Sequence, residues 1–322
     1  MPGMRATDEG FGVALGGGTA RALAHVGALE VLAERGHAPR AIAGTSSGAI
    51  VGALLALGLP PAEIAALVRG IDVRDLWRQA LDPGLGQASL IRGRKLEAWL
   101  DRHVLHGATF ADARVPFVVA CTDLVTGELG MLREGRLARA LVASSALAGF
   151  FAPVVDGARV WVDGGFVEAV PYRALAAVHR GRALGLHAGI DAGRSRMIGL
   201  VRRLHATRLG GRWRDWLLAR GAGGPWRRLA RGVALAARSY ERGLEVPPGS
   251  RLVSARPPVA WWDFHRVEEA FLSGREAVER AWRRHQGWGF FRPKISNGAA
   301  HPAMSGLGPQ FLAAAWDQIG TQ

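Results

Sequence analysis

A short apolar run, Ala41-Ile42-Ala43, leads through Gly44-Thr45-Ser46-Ser47-Gly48 into the uncharged stretch from Ala49 to Leu57. The pentapeptide fits G-x-S-x-G, and its place between a strand-like and a helix-like segment predicts a sharp turn with Ser46 at its apex. Flanking Gly44 and Gly48 allow strand and helix to approach closely. The turn also aims the helix N-terminus, with its unpaired N–H groups, at whatever the serine attacks. The 22 residues between Arg40 and Glu63 carry no charge, which is long enough for a membrane span. The elbow and the later Gly58-Leu59-Pro60-Pro61 break argue instead for a buried strand, turn and helix.

A second unit of the same kind precedes it. Gly12-Val13-Ala14-Leu15 reads as a buried strand running into Gly16-Gly17-Gly18, and residues 20–35 read as a helix stopped at Gly36. Strand–helix–strand–helix with short connections predicts an α/β fold with a mostly parallel central sheet flanked by helices. Further along, helices are expected at 62–68, 92–103, 137–145 and 264–284, and strands at 115–121 and 160–162. The second of these strands stops at Asp163-Gly164-Gly165 and is expected to run parallel to the others. Residues 81–89 read as a Gly/Pro-rich loop.

At 322 residues, 49% of them hydrophobic and 21% charged, the chain can bury a sizeable core. Its single cysteine, Cys121, excludes an internal disulfide, and the first residues show no secretory signal, so a cytoplasmic location is expected. The net charge of +14 is almost all arginine, since only Lys95 and Lys294 are lysines. Such a surface favours anionic partners. No nucleic-acid-binding motif accompanies it, so no nucleic acid is expected. Residues 194–242 form an arginine-rich insertion with Trp213, Trp216 and Trp226 interleaved, a composition suited to a solvated helical face or to peripheral membrane contact. One catalytic domain is expected over 8–286, followed by a Gly/Pro-rich tail over 287–322 read as disordered.

Three pieces carry chemistry. An ester hydrolase needs a nucleophile, a base and N–H donors for the oxyanion. Ser46 can be the nucleophile and Asp163 the base. Gly17 and Gly18 can supply N–H groups that no Cβ obstructs. Each has a plainer reading. Ser46 could be a packed turn serine, and Asp163-Gly164-Gly165 a hairpin turn. The glycines fail as a dinucleotide fingerprint, because Arg21 stands where its third glycine belongs and no ribose-binding acid ends the next strand. It is their joint occurrence, each after a strand, that points to one site.

At this point a family resemblance becomes specific. Residues 11–21, continuing through His25-Val26-Gly27-Ala28-Leu29, resemble the opening block of bacterial patatin-like phospholipases. Gly44-Thr45-Ser46-Ser47-Gly48-Ala49 is similar to that family's nucleophile motif, and Asp163-Gly164-Gly165 to its D-G-G/A motif. Softer matches lie at Leu90-Ile91-Arg92-Gly93-Arg94, at residues 122–127, and at Ser144-Ser145-Ala146 before Phe151-Ala152-Pro153. The resemblance implies a three-layer patatin-like fold and a Ser46–Asp163 dyad in place of a triad. It also implies an oxyanion hole at Gly16, Gly17 and Gly18, a loop-ordering or anion-facing Arg21, lipid or phospholipid ester substrates, and no metal or cofactor.

The chain departs from the family at Ala22 and Thr19, where glycine is usual, and at Glu168, where asparagine is common. The Ala22 and Glu168 departures motivate an alternative, a catalytically weak, membrane-associated regulatory protein that keeps the fold. A second alternative is a Ser-Asp-His esterase using His179, His187, His205 or His265. His25 is expected to serve as a structural hydrogen-bonding residue, and His103 and His106 lack further metal ligands nearby.

Overall fold

The computed structural model describes residues 10–83, 89–189, 228, 231–232, 235, 244–260 and 262–284. The chain opens with β1 (Phe11–Leu15), a 3₁₀ turn (Thr19–Leu23) and α1 (Ala24–Glu34), then β2 (Ala41–Thr45) and α2 (Ser47–Ala56). Three helices follow: α3 (Pro61–Gly70), α4 (Val73–Ala80) and α5 (Arg94–Leu100), the last running into a π turn at Asp101–Leu105. Next come β3 (Phe117–Asp123), β4 (Leu129–Leu132), α6 (Leu137–Ser144), β5 (Val154–Asp156) and β6 (Arg159–Asp163). The described chain closes with α7 (Tyr172–Ala176), β7 (Arg182–His187), β8 (Arg251–Ser254) and α8 (Val267–Arg284). The insertion expected over 194–242 lies outside the described residues except for Arg228, Arg231, Gly232 and Leu235, and the 287–322 tail lies outside them entirely.

Hydrogen-bonded strands follow the order β5-β6-β3-β2-β1-β7-β8, with β4 also on β3. The ladders β1–β2, β1–β7, β2–β3 and β7–β8 are parallel, and those of β4, β5 and β6 antiparallel. Alternation along the strands splits the core. Val13, Leu15, Ile42, Phe117, Val119, Leu184 and Leu186 face the layer of α1, α2, α3, α6 and α8. Ala14, Ala41, Ala43, Val118 and Ala120 face the short α7, through Tyr172, Ala174 and Leu175. β1 and β2 are buried at every position, which is why they read as continuous apolar runs. α2 is buried almost all round, so the uncharged segment is core. Among the described residues, no helix is long and apolar enough to cross a membrane.

One feature of register places the site. Ala120 of β3 pairs with Thr45 of β2 and Met131 of β4. Its neighbour Cys121 pairs with Gly130 of β4 and Asp163 of β6. A strand has two edges, so β2 and β6 share the edge of β3 opposite β4. Because β2 runs parallel to β3 and β6 antiparallel, they meet C-terminus to C-terminus. The strand ending in Asp163 is therefore not parallel, contrary to the sequence expectation. It reaches the site from the opposite direction.

α8 backs α1. A Cβ on Gly27 would strike the carbonyl of Phe271, and one on Gly274 the carbonyl of Ala24. These glycines let the two backbones touch, while Arg275 bridges Glu30 at 3.2 Å and Glu34 at 2.8 Å across the crossing.

Candidate active site

Ser46 adopts φ 55° and ψ −131° at the end of β2, a region L-residues rarely enter, so the elbow is strained. Packing enforces it. A Cβ on Gly44 would meet Ala49 Cα, and one on Gly48 would meet the carbonyl oxygens of Leu15 and Gly16. The Ser46 amide donates to Ser144 Oγ at 2.8 Å.

Asp163 stands across the strand junction, 8% exposed. The Gly165 amide donates to its carboxylate at 2.8 Å, and the Ser46 side chain lies close enough to act on it as a donor that lowers its pKa. Burial pushes its pKa up from 3.8 to about 6, against the lowering pull of those two donors. Its backbone is pinned on both sides: the amide donates to Ala146 O at 3.1 Å, and the carbonyl accepts from Thr122 Oγ1 at 2.9 Å. Gly164 is required because a Cβ there would run into Ala120 O. The Asp163-Gly164-Gly165 segment is no hairpin. Asp163 caps a 3₁₀ turn over Gly164–Phe166.

The glycine cluster lies beside this pair, with an ideal Cβ on Gly17 only 3.2 Å from Ser46 Cβ. The three amides differ. That of Gly16 donates to Leu186 O at 2.9 Å, and that of Gly17 reaches Ala169 O at 3.3 Å. The Gly18 amide has no partner among the described residues. Gly16 thus holds the loop to β7, while Gly18 keeps a donor open among the described residues. His25 sits behind the loop, 1% exposed, its Nε2–H donating to Gly16 O at 2.8 Å. Burial lowers its pKa to about 4, so it is a neutral strut. Arg21 ties the far end of the loop to Val259 O at 3.0 Å.

The departures from the family pattern are accommodated. Ala22 is buried inside the 3₁₀ turn at ordinary negative φ, so its methyl needs no glycine. Thr19 takes φ 53° and donates its hydroxyl to Gly18 O at 2.6 Å. Glu168 accepts from the Arg173 amide at 2.8 Å and so caps the first turn of α7. Among the described residues, the groups that bear on the Asp163 carboxyl include no histidine. His179 contacts Arg182 O at 3.2 Å, His265 lies beside Glu269, and His205 is outside the described residues. Ser144 escaped sequence reasoning as a site residue. It touches Ser46 across 98 residues of chain, and no local pattern announces such a contact.

Comparison with known proteins identifies the family. A family model described as Patatin-like phospholipase matches residues 13–176, about half of the chain. An uncharacterized NTE family protein of Mycobacterium bovis is 34% identical over 188 residues, covering 57% of this chain and 51% of that one. Lysophospholipase NTE1 of Cryptococcus neoformans is 30% identical over 173 residues, 53% of this chain and 11% of that one. The chain thus spans about half the length of the mycobacterial relative and far less of the fungal one. The crystal structure of VipD from Legionella pneumophila is a distant likeness, with TM-score 0.45 and 13% identity over 85% of this chain and 68% of that one. The family match covers both Ser46 and Asp163, and the chain belongs to the patatin-like phospholipase family.

Proposed function

We propose that this chain hydrolyses acyl esters of lipids, phospholipids and lysophospholipids among them, through an acyl-enzyme on Ser46. Asp163 takes the Ser46 proton as Oγ attacks the ester carbonyl, and returns it to the leaving alcohol as the tetrahedral intermediate collapses. Water, deprotonated by the same carboxylate, then attacks the acyl-enzyme and releases the fatty acid. The open Gly18 amide, the long-bonded Gly17 amide and the first N–H of α2 after Ser46 are the donors assigned to the oxyanion. The Gly16 amide, engaged by Leu186 O, is assigned to shaping the loop. The observation that carries this reading is the Ser46 side chain beside a buried carboxyl, at the junction where β2 and β6 meet C-terminus to C-terminus, whose pKa is raised to about 6. A carboxylate so tuned is a stronger base than an exposed one and is still ionised at neutral pH. The name of the fungal relative supports the lysophospholipid part of the substrate range.

Purified protein is expected to hydrolyse a medium-chain p-nitrophenyl ester and a lysophospholipid. Ser46→Ala and Asp163→Asn should each abolish both activities, and a fluorophosphonate should label wild type but not Ser46→Ala. Undiminished hydrolysis by Ser46→Ala would sink the mechanism, and an inert wild type would favour a regulatory protein that keeps the fold. Peripheral membrane contact through 194–242 is proposed from its composition. Co-sedimentation with anionic liposomes should fall when that segment is deleted, and unchanged binding would refute its role.

A further inference from the structure

Both halves of the proposed dyad hang from one corner, the C-terminal end of α6. Ser144, 0% exposed, accepts the Ser46 amide at 2.8 Å and donates its own hydrogen to Ala120 O at 2.6 Å. Two residues later, the Ala146 carbonyl accepts the Asp163 amide at 3.1 Å. Ala120 is where the edge of β3 changes partner from β2 to β6. Its carbonyl therefore lies at a gap in the ladder, where a buried acceptor needs a donor. The Ser46 amide faces the complementary difficulty, because it lies just past Thr45, the last residue of β2 in the ladder with β3. A single hydroxyl, accepting from one and donating to the other, answers both.

We infer that Ser144 is a positioning residue for the reaction, its hydroxyl fixing the strained elbow against the strand junction so that Ser46 Oγ meets Asp163. The inference rests on the dyad reading above. The chain N–H(Ser46)···Oγ(Ser144)–H···O(Ala120) has a definite direction, so neither an alkyl group nor a lone donor replaces it. Without it, Ser46 can relax toward an ordinary φ, which swings Oγ away from the carboxylate. Substrate contacts are untouched by that change. Cys121, paired with Asp163 across the ladder, is buried, and burial and Asp163 push its thiol pKa upward, so it is a packed and protonated neighbour.

The test is steady-state kinetics of Ser144→Ala, Ser144→Thr and Ser144→Val on the p-nitrophenyl ester, with thermal melts of each. Displacement of a reacting group by about 1 Å costs on the order of 100-fold, and a loss of that size is expected in kcat for Ser144→Ala and Ser144→Val, with KM within about twofold of wild type. Thr restores the hydroxyl at the same volume as Val, so Ser144→Thr should exceed Ser144→Val at least tenfold in kcat. The acid limb of the pH–rate profile should also move upward in Ser144→Ala, as Asp163 loses the lowering pull of the Ser46 side chain. A purely structural serine would lower Tm without splitting kcat from KM or moving that limb. Wild-type kcat in Ser144→Ala, or equal kcat in the Thr and Val variants, overturns the inference while inactive Ser46→Ala and Asp163→Asn leave the dyad standing. Activity retained by Ser46→Ala overturns the dyad itself.

Discussion

The Ser46 side chain bears on the carboxyl of Asp163, whose pKa burial has raised from 3.8 to about 6. Only the ionised form can take a proton, so kcat/KM for ester hydrolysis should climb with pH and reach half its plateau near pH 6. An exposed aspartate would place that limb about two pH units lower. A rate profile on a substrate without titratable groups checks this.

Charging Asp163 in its buried site opposes folding. Its folded pKa lies above the unfolded value, so the cost is absent below pH 3.8 and complete above about 6. Its full size is about 3 kcal/mol. Asp163→Asn should therefore be inactive yet more stable than wild type at pH 7.5 by up to that amount, with the advantage vanishing by pH 3.5. His25 behaves in the opposite sense. Its folded pKa of about 4 lies below the ordinary 6.5, so it weakens the fold as pH falls through that window. The magnitude is again about 3 kcal/mol. His25→Gln keeps a donor for Gly16 O and should gain on wild type progressively below pH 6.5. Melting temperatures at pH 7.5 and at pH 4 separate the two effects.

Glycine normally weakens a protein relative to alanine by about 0.5–1 kcal/mol. At position 46 the order should reverse, because φ 55° and ψ −131° suit only glycine and the strain stored there is about 1–3 kcal/mol. Ser46→Gly should thus equal or exceed Ser46→Ala in urea denaturation, although both are inactive. A clearly less stable Ser46→Gly would mean that the elbow carries no strain.

Gly27→Ala and Gly274→Ala both add a methyl that helix propensity favours. Each methyl would collide with backbone carbonyl, of Phe271 and Ala24 respectively. Neither carbonyl can rotate aside, so each variant should lose about 1–3 kcal/mol or more. Activity should fall as well, since α1 continues directly from the glycine loop. Melts combined with ester hydrolysis of the two variants check this, and wild-type stability in either would contradict the close crossing.

Much of the site was legible in the sequence because its parts are local. The elbow, the glycine cluster and Asp163-Gly164-Gly165 each declare themselves by residues that backbone geometry demands, and β1, β2 and α2 by uninterrupted apolar runs. Non-local features were hidden. The antiparallel sense of β6 depends on its pairing with Cys121, 42 residues away in the chain, and no periodicity within Arg159–Asp163 encodes direction. β4, β5, β7 and β8 are short, mixed in polarity and held mainly by their neighbours, so no pattern announced them. The inequality of the three glycine amides was equally invisible, because it turns on where the carbonyls of Leu186 and Ala169 arrive. Ser144 belongs to the same class: only the folded strand junction gives its hydroxyl two partners.

The glycine-to-backbone crossing of α1 and α8 also says where a knife could not be placed. A fragment cut to residues 13–176, the span the family match recognises, would strip β7 from the edge of β1, remove the acceptor of the Gly16 amide and leave Gly27 facing water. Engineering a minimal or transplantable version of this protein should therefore keep the chain intact through Arg284.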